Sequence, residues 1–83
     1  MAIIIHPHAL QRMEERGASN EEVRLTIEMG QVSPARFSRQ RFVMTFSFRN
    51  YWRTQFYKYK HIEAYCVIDG DDMIVVTVVV KYF

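Results

Sequence analysis

The spacing of apolar residues changes once along this chain, and that change sets the class of fold. Between Pro7 and Gly30 the residues that can share one apolar side lie three or four positions apart, Ala9 and Leu10 with Met13 and Val23 with Ile27, and soon after Gly30 the apolar side chains alternate. A period near 3.6 lays an apolar stripe along a helix, whereas a period of 2 lays an apolar face on a strand. Helices first and strands afterwards predict an α+β domain, with the helices on one side of a sheet.

The punctuation agrees. Pro7 is favoured in a first helical turn, and Gly17 suits the left-handed position beyond a last turn, so a helix is predicted over about 7–16. Ala9, Leu10 and Met13 are its apolar side, and His8, Arg12 and Arg16 make a polar stripe beside it. Ser19 followed by Glu22 is a capping box, which starts a second helix over about 20–29 that ends at Gly30. In RFVMTFSF, residues 41–48, Phe42, Met44, Phe46 and Phe48 share one face of a strand. Residues 49–55 read as a connection. A strand over about 61–68 leads through Asp69-Gly70-Asp71-Asp72, a hairpin turn, to a strand over about 73–81 that is apolar on both faces. The expected architecture is one domain: two helices on a small, mostly antiparallel sheet of three to four strands.

One length restricts the third segment. Residues 56–68 fully extended span roughly 43 Å at ~3.3 Å each, against a radius of gyration of only ~12 Å for a domain of this size. A bend or bulge is expected near Lys58–His61, turning Lys58 and Lys60 out of the core. Thr77, inside the apolar last strand, is expected either to bond a helix residue such as His8 or Arg12 or to be an ordinary strand residue.

Charge is segregated. The net charge is +2, but residues 31–62 carry seven cations and no carboxylate, while both flanks are acidic. Nine of the twelve aromatic residues lie in the same stretch, so cations alternate with rings. That mixture suits a polyanion with flat bases: cations meet phosphates and rings stack on bases. The plainer alternative is an apolar core whose arginines are a solvated face.

The pattern HPHALQRMEERGASNEEV, then ARFSRQRF, a later Trp52, YKYKHIEAY and VVTVVVKYF resembles a family of small bacterial domains of unknown function. The resemblance runs over nearly the whole chain, and its marks are an HAxxRMxERG helix and a VVTV strand. That family is grouped with the RelE/ParE-like toxins, in the wider set of barnase, EndoU, colicin and RelE ribonuclease folds. The resemblance implies that fold, a bias toward RNA cleavage, and a toxin acting beside an acidic antitoxin.

Cleaving RNA without a metal needs a base for the 2′-hydroxyl, cations for the crowded phosphorane and an acid for the leaving oxygen. Glu63, the carboxylate bordering the basic run, is the expected base. His8 is the expected acid, since histidine titrates near neutral pH, with His61 as the alternative. Arg12, Arg16 and Lys60 are expected to hold the phosphate, which requires the helix stripe and Lys60 to converge. Arg36, Arg39, Arg41, Lys58 and Lys81 are expected to contact the nucleic-acid backbone, and Trp52, Tyr57 and Tyr59 to stack on bases. Each has a plainer role: Arg12 and Arg16 pairing with Glu15 or the second helix, Glu63 pairing across strands with a lysine.

Other chemistries fit less well. His6, His8, His61 and Cys66 lack zinc-site spacing, DGDD lacks the frame of a calcium loop, and the three glycines sit at helix ends and a hairpin. No cofactor or metal is expected. A lone cysteine and the lack of an export signal in MAIII point to a cytoplasmic protein, and no apolar run is long enough for a membrane. The expected function is an RNA-binding, RelE/ParE-like protein that cleaves RNA without metal. The alternative is a non-catalytic module that binds nucleic acid or a protein.

Overall fold

A computed structural model describes residues 2–83. The chain runs β1 (Ile3–Ile5), α1 (Pro7–Arg16), α2 (Asn20–Met29), β2 (Gln31–Ala35), β3 (Arg39–Trp52), β4 (Gln55–Asp69) and β5 (Asp72–Tyr82). The strands form one sheet in the order β1-β5-β4-β3-β2, antiparallel except for the β1–β5 pair. The α+β class is as expected, but the sheet has five strands rather than three or four.

Both additional strands are short edges. Ile3–Ile5 docks beside Met73–Val75, an association that nothing local to three residues announces. Gln31–Ala35 contains Pro34, which reads as a strand breaker; an edge strand tolerates it because one row of its backbone groups has no neighbour. The expected connection over 49–55 is mostly strand: β3 continues to Trp52, and Arg53-Thr54 alone makes the turn into β4.

The helix ends follow the sequence signals. Gly17 has φ 80°, and a Cβ there would lie 2.5 Å from Tyr82 Oη and 2.6 Å from the Trp52 ring, so both conformation and space demand glycine. The Ser19–Glu22 capping box forms in both directions. Gly30 is extended rather than left-handed. It is needed for room, since a Cβ would collide with the carbonyls of Thr26 and Val43.

Both helices lie on one face of the sheet. Ala9 and Met13 of α1, with Val23 and Ile27 of α2, meet Phe42, Ile62, Ala64, Cys66, Val75 and Val78, and this layer is the core. Burial pushes the Cys66 thiol up to about 12, which keeps it an unreactive core group.

Two irregularities decide which side chains face which way. The first is the bulge expected near Lys58–His61. The amides of Lys58 and Tyr59 both donate to the Phe83 carbonyl, at 3.1 and 2.8 Å, while β3 slips register opposite, between Ser47 and Asn50. Lys58 is exposed, but Lys60 is not turned out. It stays on the helix face at 6% exposure, because Nζ donates to the Gly17 carbonyl (2.7 Å) and to Glu22 (3.0 and 3.1 Å). The second irregularity lies in β5, where Tyr65 pairs with Thr77 but Cys66 with Val75, leaving Val76 as an extra residue. The alternation of β5 reverses there. Met73 and Val75 face the helices, whereas Thr77, Val79 and Lys81 face away, so Thr77 sits opposite Tyr65 rather than near His8 or Arg12.

The molecule is elongated, 41 × 23 × 22 Å, yet the fifteen residues of β4 would exceed even that length if fully extended at ~3.3 Å each, so the strand is bent. No helix among the described residues is long and apolar enough to cross a membrane.

Candidate functional site

On the sheet face away from the helices, β3, β4 and β5 form a grid. Thr45, His61 and Lys81 make one row, Val43, Glu63 and Val79 the next, and Arg41, Tyr65 and Thr77 the third. Glu63 is at the centre and only 5% exposed. Its two neighbours across the strands are valines, so its charge is met along the diagonals and along its own strand.

Four side chains converge on that carboxylate. Arg41 aims its fork at it, with Nε to Oε1 and Nη2 to Oε2 both at 3.4 Å. Lys81 Nζ lies 3.4 Å from Oε2, His61 Nε2 3.2 Å from Oε2, and the Tyr65 hydroxyl donates to Oε1 at 3.0 Å. Burial alone would raise the pKa of Glu63. The hydrogen bonds from Arg41 and Tyr65, with the charges of Arg41 and Lys81, outweigh it and hold the carboxyl at about 2. Burial, with the bond to Glu63, pushes the Tyr65 phenol up and keeps it a donor.

His61 is held at both nitrogens. Nε2 faces Glu63 and Nδ1 lies 2.9 Å from Thr45 Oγ1. With a carboxylate at Nε2, the tautomer that fits carries its proton there and accepts from Thr45 at Nδ1. A hydroxyl, an imidazole and a buried carboxylate thus stand in line, the order in which carboxylates orient histidines for proton transfer. Arg41 and Lys81 contact Glu63 at the long end of hydrogen-bond range, and Lys81 is 63% exposed along its side chain, so both cations are accessible to an anion from solvent.

The other expected site residues lie elsewhere. His8 is exposed at the start of α1, where its amide donates to His6 Nδ1 and its ring stacks on His6. Arg12 pairs with Glu15 at 3.1 Å, in solvent. Arg16 Nη1 donates to the Val78 carbonyl at 2.5 Å. Lys60 is locked to Gly17 and Glu22. Lys60 and the stripe share the helix face, but His8 is nine positions from Gly17, about 14 Å along the helix axis, so His8 and Lys60 do not meet. Glu63 is on the opposite face from all four.

The expected nucleic-acid contacts also divide. Trp52 stacks on Tyr82 at 5.1 Å with Arg53 against its ring, and Tyr57 packs on Tyr82 at 5.5 Å. Both rings are built into an aromatic cluster at the end of α1. Tyr59 is on the open face beside Phe83. Arg36, Arg39 and Arg41 line a groove of about 450 Å³ at the β2–β3 end, next to Tyr65. Thr45 and Tyr65 were not anticipated. Tyr65 was within reach of sequence reasoning, since 61, 63 and 65 share a strand face by parity alone, whereas Thr45 needed the register.

Among the described residues, no three His, Cys, Asp or Glu side chains are placed to hold a metal ion. The arrangement is a helix-backed sheet with an uncovered charged face, an α+β domain with its polar centre on the middle strands. The family described as a domain of unknown function (DUF4258) matches residues 5–80, and the chain belongs to it. No curated protein and no solved structure matches the chain.

Proposed function

We propose that the open sheet face binds single-stranded RNA and cleaves it without a metal ion; the grouping of the family that the sequence resembles with the RelE/ParE-like toxins supports the reading. The observation that carries the reading is the Glu63 centre: an ionised, nearly buried carboxylate holding a histidine, flanked by two solvent-accessible cations. An RNA phosphate that takes Arg41 and Lys81 lies beside His61, where those cations stabilise the charge that builds on phosphorus.

A carboxyl near 2 is a weak base at neutral pH, so proton transfer falls to His61, with Glu63 as the group that orients it and balances the imidazolium. The 2′-hydroxyl takes the place of the Thr45 hydroxyl at His61 Nδ1, which removes its proton as the oxygen attacks phosphorus, and the protonated ring returns a proton to the departing 5′-oxygen. The products are a 2′,3′-cyclic phosphate and a 5′-hydroxyl.

The test is incubation of RNA with wild type, His61→Ala and Glu63→Gln in excess chelator, followed by analysis of the fragment ends. Cyclic phosphate ends that disappear with His61→Ala, fall with Glu63→Gln and persist in His8→Ala support the reading. Loss of cleavage in His8→Ala at unchanged stability would return the site to the helix stripe. Intact RNA retained at low salt would leave a binding module, the alternative function.

A further inference from the structure

The β2–β3 turn carries a cost that the fold does not explain. Arg36–Arg39 is a tight turn closed by the Arg39 amide on the Arg36 carbonyl at 3.3 Å. Its two central residues, Phe37 and Ser38, have φ of 62° and 57°. Successive left-handed residues in a two-residue turn are the pattern for which asparagine and glycine are preferred, and a bulky side chain is strained there. Phe37 occupies it, and the residue is 81% exposed and outside the core.

The surroundings point to a ligand. Phe37 lines the groove of about 450 Å³ together with Arg36, Arg39, Arg41, Tyr65 and Pro34. Its walls hold three arginines and, among the described residues, no carboxylate. The Arg39 guanidinium sits 5.7 Å from the Phe37 ring centroid. Arg41 and Tyr65 belong to both this groove and the Glu63 centre, so a strand with its phosphate at the centre runs directly into the groove.

We propose that this turn is a base-stacking finger: Phe37 receives a nucleobase of single-stranded RNA, while Arg36 and Arg39 hold the adjoining phosphates. The proposal rests on the RNA reading of the open face. An acidic peptide would suit the arginines equally well, but carboxylates have no use for an exposed ring in an unfavourable backbone. The ring singles out the polyanion that carries flat bases.

The experiment uses wild type, Phe37→Asn and Arg41→Ala, each measured for thermal midpoint and for binding of a labelled short single-stranded RNA, intact or with abasic positions, at low salt. Asparagine tolerates the left-handed conformation, so Phe37→Asn should melt at or above the wild-type temperature. It should also bind intact RNA roughly 5- to 150-fold more weakly, the range of one lost base–aromatic stack. On abasic RNA the two proteins should bind alike. Unchanged RNA affinity in Phe37→Asn, with Arg41→Ala impaired, overturns the finger and leaves the RNA surface standing. A lower melting temperature in Phe37→Asn also overturns it, because the ring would then serve the fold. Wild type that binds poly-glutamate but no RNA overturns both readings in favour of an acidic protein partner.

Discussion

Glu63 shows how one residue's surroundings set its chemistry. It lies on a sheet face that no helix covers, yet its neighbours close over it and leave it less exposed than Lys60 on the helix side. Its carboxyl titrates at about 2 in the fold against an ordinary 4.5. A depressed carboxylate stabilises the folded state fully above the ordinary value and loses that contribution as the pH falls through the depressed one. The shift is worth on the order of 3 kcal/mol, so wild type should lose about that much between pH 4.5 and 2. Chemical denaturation across that range checks it, and Glu63→Gln should lack this component of the acid limb. Glu63 was legible as a site residue because it borders an acid-free run. Its role was not, because the groups that depress it come from β3 and β5, and only the register brings them to it.

At the scale of elements, helices and strands were unequally readable. Helix ends are local: Pro7, Gly17 and the Ser19–Glu22 box act within a turn, so both helices begin and end where the sequence places them. Strand faces are not local. The bulge at Val76 reverses the alternation of an apolar strand on which either face is acceptable, and that reversal brings Lys81 to Glu63. Lys60 is the opposite case. The bulge before it was expected to expel it, and instead it joins three elements, bonding the carbonyl that ends α1, the Glu22 that opens α2, and its own strand β4. Lys60→Ala should therefore destabilise the fold by roughly 2 kcal/mol, the range of buried charged hydrogen bonds. RNA affinity measured below the unfolding transition should stay at the wild-type value. A selective loss of affinity at unchanged stability would put Lys60 back in the phosphate site.

Over the whole molecule, charge and shape work together. The seven cations of the middle segment lie on β3, β4 and their turns; Arg41, with Lys81 of β5, is on the open face, and Lys60 is on the face of the helices, which carry five of the nine acids. Single-stranded nucleic acid lying over Arg36, Arg39, Arg41 and Lys81 would neutralise about four phosphates, so the logarithm of the binding constant should fall against that of salt with a slope of about −3. Titrations between low and moderate salt measure it. A slope near zero would show that phosphates are not what this face holds.

The way Arg16 sits against β5 bears on self-association. Ile74–Val80 reads IVVTVVV, uncharged and without proline, the kind of segment that stacks into fibrils when its flank is bare. β1 shields that flank only as far as Val75, and His6 completes it by donating its amide to the Val75 carbonyl. Beyond that point the guanidinium of Arg16 takes the Val78 carbonyl, doing for one residue what a neighbouring strand would do. Arg16 is thus a gatekeeper. Arg16→Ala should form thioflavin-binding aggregates on mild heating, faster as concentration rises, under conditions where wild type stays monodisperse.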